Sequence, residues 1–257
     1  RSLLVAAGLP YIGDRFPDGW GELLRAANPD GFFESELVAG VYYRTNPHPQ
    51  TGAYLAPHAT RHHAVKIFIP GLLRTDVAFI DRCVATVRSW REHAASTRRI
   101  RSLRDGVGLS RTEDGLLSPA LEWWGSNYGL VRDLAIRGYP VHVVSYDALL
   151  RDPERVATEV LAWLGQGDAR RAAAVVRPEL RTGHLHGGST DAELADGIEA
   201  RHLEVFDELY ARIDGEQPLT ASFITLLNHT DEALRPLVLE HQAHADARTI
   251  ADILGRE

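Results

Sequence analysis

Apolar positions along the chain fall into short continuous runs separated by stretches with helical spacing, the pattern of strands alternating with helices. Residues 64–69 (Ala-Val-Lys-Ile-Phe-Ile) read as a short buried strand ended by Pro70-Gly71. Residues 77–87 read as a second, mostly apolar strand, and residues 139–145 as a third, preceded by a turn at Gly138. Ser89 and Glu92 stand at N-cap and N3 spacing, a capping box for a helix running to about Leu103. A Gly-rich loop then leads to a helix over 119–137. Asp152-Pro153 supplies an N-cap and a proline at the first helical position. The helix it opens carries Val156, Val160, Leu161 and Leu164 on one face and closes at Gly165. Residues 169–176 form a further helix. The remainder, opening with a capping box at Thr190 and Glu193, reads as helical to the C-terminus.

The N-terminal side is more broken. Residues 3–7 read as the end of a helix stopped by Gly8 and Pro10, and residues 11–20 as loop. A short helix over 21–27, a turn at Asn28-Pro29-Asp30-Gly31, a helix over 35–43 and a Pro/His/Gly loop over 46–57 follow. Strands alternating with helices imply a parallel sheet with crossovers, and such sheets bind ligands beyond the carboxyl ends of their strands. Arg88, just past a strand end and beside a helix N-terminus, therefore stands where an anion binds. The expected organisation is an α/β core over 1–180 and a helical region over 181–257.

Composition narrows this picture. With 44% hydrophobic and 25% charged residues the chain has the make-up of a soluble globular protein, and no stretch approaches a membrane span. The net charge of −7 argues against general nucleic-acid binding. The single cysteine, Cys83, forms no internal disulfide and reads as a small core residue, which suits a reducing, cytoplasmic setting. Lys66 is the only lysine among 28 basic residues; with the abundant alanine this is the usage of a high-GC bacterial coding sequence. The chain has no methionine and starts at Arg1, which leads us to expect missing N-terminal residues and methionines lost as a modified form.

Four segments together resemble the sulfotransferases that use 3′-phosphoadenosine 5′-phosphosulfate (PAPS), in particular the bacterial branch. The clearest runs from Val144-Ser145-Tyr146-Asp147 through Asp152-Pro153 to Trp163-Leu164-Gly165, similar to the family's strand-then-helix segment. Arg88 followed eight residues later by Ser96 resembles its 3′-phosphate motif. Asn28-Pro29-Asp30-Gly31-Phe32-Phe33-Glu34 is similar to an element of many bacterial members, and residues 65–73 resemble the family's Lys-Thr-His-Leu-Pro segment. The resemblance covers about 28–165 and implies a P-loop-NTPase-like parallel sheet flanked by helices, with a helical C-terminal region.

It also implies roles. Arg88 and Ser96 would hold the 3′-phosphate, a compact anion suited to a guanidinium fork and a hydroxyl. Tyr146 would lie near the adenine and Lys66 would face the transferring sulfonate. A solvated Arg88, a surface Ser96 and a Tyr146 satisfied by backbone are the competing readings. The family's 5′-phosphosulfate loop is not intact here; only Arg1-Ser2 stands as its remnant. The family's catalytic His is replaced by Phe68, which leaves Glu34 as the candidate base, its pKa raised by the neighbouring Phe32-Phe33. Glu34 reads equally well as a cap for the helix after it, and His58, His62 or His63 is a reserve base.

The twelve histidines, including His184 with His186 and His241 with His244, show no zinc-site spacing, so no metal is expected. Trp123-Trp124 fit either an acceptor pocket or core packing, and Arg181 with Gly187-Gly188 fit a lid over the nucleotide. The expected reaction is in-line, metal-independent transfer of a sulfonate from PAPS to a hydroxyl or amine, leaving adenosine 3′,5′-bisphosphate. A small molecule, lipid, glycan or peptide all fit as acceptor, with the loops at 46–57 and 105–118 and the helical C-terminal third shaping its pocket. Two rivals stand beside it: a P-loop kinase-like phosphotransferase, which lacks its Gly-Lys-Ser/Thr loop here, and a non-catalytic nucleotide-binding module derived from a sulfotransferase.

Overall fold

The computed structural model describes residues 3–12, 40–41, 62–105, 117–181, 190–195 and 197–254. The helix expected over 21–27, the turn at Asn28 and the loop over 46–57 lie outside the described residues; of the helix expected over 35–43 only Gly40 and Val41 are described, and they are not helical, Gly40 having a φ of 121°. In chain order the described elements are α1 (Leu3–Ala6), β1 (Tyr11–Ile12), β2 (Ala64–Val65), α2 (Ile69–Arg74), β3 (Cys83–Val87), α3 (Trp90–Asp105), α4 (Pro119–Arg137) and β4 (Val141–Ser145). There follow α5 (Tyr146–Arg151), α6 (Pro153–Leu164), α7 (Ala169–Ala173), α8 (Asp191–Ala195), α9 (Ala200–Asp214) and α10 (Ala221–Leu254). The protein is thus α/β, mostly helical, with two small parallel pairs: β1 with β2, and β3 with β4. Among the described residues no helix is long and apolar enough to cross a membrane.

The chain divides into two compact units. Arg1–Val87 and Gly129–Leu180 form the first, Arg88–Tyr128 and Arg181–Glu257 the second. In the first, β3 and β4 run parallel in register from Cys83 opposite Val141 to Val87 opposite Ser145. Side chains alternate across a strand, so each face of the pair takes half of them. Cys83, Ala85, Val141 and Val143 pack with Leu72, Leu130 and Tyr139. Val84 and Val144 pack with Ala148, Val156 and Val160. Apolar cover on both faces is what a parallel pair requires. A third cluster joins Ala7 and Leu9 to Ala157, Leu161, Ala172 and Ala173.

Two expected strands are shorter than their apolar runs. Over 64–69 only Ala64–Val65 pair, and α2 begins at Ile69 with Pro70 inside its first turn. Proline lacks an N–H that the first turn leaves unbonded anyway, so Pro70-Gly71 opens a helix instead of ending a strand. Over 77–87, Val77–Phe79 form a 3-10 turn capped by Asp76, whose side chain accepts from the Ala78 N–H at 3.0 Å. Only Cys83–Val87 enter the ladder. Beyond α2, Arg137 closes the carboxyl end: its guanidinium donates to the carbonyls of Leu72 and Thr75 and to Asp133, which also accepts from Tyr139 Oη.

In the second unit the core is aromatic. Trp90, Trp123, Trp124 and Phe206 are all 2% exposed or less. Trp124 stacks on Phe206 with centroids 4.8 Å apart, and Trp90 meets the same ring edge-on at 6.4 Å. Each indole N–H has an acceptor when buried, as such rings require: Trp90 gives to Asp207 at 2.8 Å, Trp123 to the Arg88 carbonyl at 2.6 Å and Trp124 to Asp231 at 3.3 Å. Of the two readings open for Trp123 and Trp124, acceptor pocket or core packing, the structure shows core.

Candidate functional site

The cationic candidates of the second unit gather at the start of α3. Arg88 precedes the cap residue Ser89, whose Oγ accepts from the Glu92 N–H at 3.4 Å. The backbone here is held from below, because the buried Trp123 donates to the Arg88 carbonyl. Arg88 Nε lies 4.0 Å from Glu92 Oε2, and Arg181 Nε donates to Glu92 Oε1 at 2.6 Å. Glu92 is 9% exposed while the two guanidiniums are each about a third exposed. Oε2 of Glu92 makes no hydrogen bond among the described residues. Ser96 follows one turn beyond Glu92, so Arg88, Glu92 and Ser96, spaced by four, follow one face of the helix and its approach.

At this end Arg88 and Arg181 flank the Glu92 carboxylate, Arg91 in the same turn pairs with Asp191 and Asp207, and the first turn of a sixteen-residue helix adds its partial positive charge. His93, next in the chain, does not add to it at neutral pH. Burial lowers its pKa to about 4, assisted by the charges of Arg88 and Arg101. Such an end suits a compact anion: a guanidinium fork, a hydroxyl and helix N–H groups are the donors that phosphate takes.

In the first unit the structure places Tyr146 as the opening residue of α5, directly after β4, and not at the end of the strand itself. Ser145 is the N-cap of that helix and accepts from the Ala148 N–H at 2.8 Å. Tyr146 is half-buried. Lys66 lies just past β2, exposed, with its Nζ 5.6 Å from the centroid of the Phe68 ring. Phe68, which stands where the resembling family has its catalytic His, is itself 54% exposed and precedes α2.

Arg1, Ser2, Glu34, His58, His184, His186, Gly187 and Gly188 lie outside the described residues. His62 and His63 are exposed ahead of β2, His62 with a φ of 64°. Among the described residues no three His, Cys, Asp or Glu side chains gather as a metal cluster. The pairing of Arg181 with Glu92 escaped the sequence reading. It joins positions 89 apart, and the only local signal, Glu92 three residues after Ser89, points to a helix cap instead. No protein-family model, curated protein or solved structure matches the chain.

Proposed function

We propose that the protein is a sulfotransferase that moves a sulfonate from PAPS to a hydroxyl or amine of its acceptor, on a sheet of the P-loop-NTPase kind. One observation carries this reading. The last register pair of the parallel ladder is Val87 opposite Ser145, and Arg88 and Tyr146 are the residues that follow each strand. Ligands of α/β sheets bind beyond such carboxyl ends, and each of these strands runs on into a helix with a serine at its start. The arginine, the Ser96 hydroxyl and the helix terminus match the chemistry of a 3′-phosphate.

In the proposed reaction the acceptor oxygen or nitrogen forms a bond to sulfur. The bond from sulfur to the bridging oxygen breaks, and adenosine 3′,5′-bisphosphate leaves with that electron pair. Glu34 takes the acceptor proton, Lys66 offsets charge on the bridging and equatorial oxygens, and Tyr146 contacts the adenine. Arg1 and Ser2 belong to the 5′-phosphate side. The fixed cations supply the stabilisation that a metal ion gives in phosphoryl transfer, because a sulfonate carries less charge.

The test is calorimetric titration with adenosine 3′,5′-bisphosphate in the presence of a chelator, on wild type and Arg88→Ala. Metal-free binding that weakens by roughly 10- to 100-fold in the variant supports the reading. A folded wild type without affinity for the bisphosphate overturns it. Transfer of labelled sulfonate from PAPS to a panel of hydroxyl and amine acceptors then names the acceptor class.

A further inference from the structure

We infer that Glu92 is a positioning residue for Arg88, itself held in place by Arg181; this rests on reading Arg88 as a phosphate ligand. The observation is a capping box that is only half made. At the start of α8 both halves exist: the Glu193 N–H donates to Thr190 Oγ1 at 3.3 Å, and the Thr190 N–H donates to Glu193 Oε2 at 2.7 Å. At the start of α3 the Glu92 N–H donates to Ser89 Oγ, while the Glu92 carboxylate is turned to Arg181. Glu92 thus gives up the return half of the box that its sequence position offers.

Turning the carboxylate has a cost that a helix cap does not explain. It leaves Oε2 buried with no hydrogen bond among the described residues. A buried carboxylate oxygen without a donor is unfavourable unless charge nearby compensates it. The charge facing Oε2 is the Arg88 guanidinium, with Nε 4.0 Å away. The three side chains form a relay. Arg181 pins one oxygen through a 2.6 Å bond, and the other oxygen steers Arg88. About a third of the Arg88 side chain remains exposed beside this carboxylate. Fixing a long side chain in advance removes ordering entropy from binding, which is how such a carboxylate raises affinity for an anion.

The sign of one measurement separates this from simple electrostatics. Removing a negative charge near an anion tightens binding if charge alone matters. A positioning role predicts the reverse. Titration of the full chain with adenosine 3′,5′-bisphosphate is expected to show Glu92→Gln binding roughly tenfold more weakly than wild type. Arg181→Ala should weaken binding in the same direction, and in an Arg88→Ala background neither change should cost anything further. Unchanged or tighter binding by a folded Glu92→Gln overturns the inference. Should Glu92→Gln fail to fold, Arg181→Ala decides alone. Its loss of affinity must vanish once Arg88 is absent, and a loss that persists assigns Arg181 to the ligand and overturns the relay. A wild type with no affinity for the bisphosphate overturns the nucleotide reading and the relay with it, whereas a binding wild type with an unaffected Glu92→Gln overturns the relay alone.

Discussion

Val87 and Ser145 are the closing pair of the parallel ladder, and both are 2% exposed. Ser145 is also the cap of the helix that follows, its Oγ accepting from the Ala148 N–H at 2.8 Å. One buried residue therefore ends a strand and starts a helix, fixing where Tyr146 leaves the sheet. Ser145→Ala removes the acceptor and orphans a helix N–H. We expect the unfolding free energy to fall by about 1–2 kcal/mol in urea titration. Stability equal to wild type would show that the cap is replaceable.

Gly167 is required by both backbone and space. Its φ is 102°, and a Cβ there would stand 2.8 Å from Leu9 Cδ1 and 3.0 Å from Leu161 Cδ2. Both neighbours belong to the cluster that joins α6 and α7 to the start of the chain. Gly167→Ala is expected to cost roughly 2–4 kcal/mol, the sum of a left-handed alanine and an overpacked core. Gly197 is the control: its φ is 85° with nothing within 4 Å of an added Cβ. Gly197→Ala should cost only the backbone part, about 1–2 kcal/mol. Equal losses in thermal or urea melts would remove packing from the explanation.

His93 makes stability depend on pH. Burial, with the charges of Arg88 and Arg101, lowers its pKa from 6.5 to about 4. The folded state therefore binds the proton less readily than the unfolded chain. Its contribution is fully present above about pH 6.5 and is lost as the pH falls toward about 4. Between about pH 7.5 and pH 5 this one group should remove about 2 kcal/mol from the unfolding free energy. His93→Gln, which does not titrate, should flatten that part of the curve; an identical slope in the variant would assign the acid sensitivity elsewhere.

What the sequence makes legible is what neighbours decide. The helix expected over 119–137 is α4 with the same bounds, and Asp152, Pro153 and Gly165 cap α6 as read, Gly165 with a φ of 73°. Caps and proline positions act within one turn, so a short window contains the whole cause. Apolar runs are less decisive. Residues 64–69 carry the hydrophobicity of a buried strand, yet only Ala64–Val65 pair, and Pro70, which ends a strand, is equally at home in a first helical turn, so local pattern cannot choose. Least legible are pairings between distant segments. Glu92 reads as a cap because Ser89 is three residues away, while its partner Arg181 is 89 positions on. The same holds for Trp123 and Trp124, whose apolar rings fit a pocket or a core until Phe206 is seen against them.

Cys83 offers a chemical readout of the first unit. It sits in the cluster beneath Leu72, Leu130 and Tyr139. Burial, and after it the negative charge of Asp133, pushes its thiol from 9.0 up to about 11. Thiolate is the reactive form, so a rise of this size cuts the reactive fraction by roughly a hundredfold near neutral pH. The native protein should therefore react with a disulfide reagent at least about a hundredfold more slowly than the urea-unfolded chain at the same pH. Asp133→Asn, which removes the second cause and loosens the Arg137 and Tyr139 contacts, should speed the native reaction. A native thiol as fast as the unfolded one would mean that the ladder opens readily at its first pair, Cys83 with Val141, and would place that end among the least stable parts of the fold.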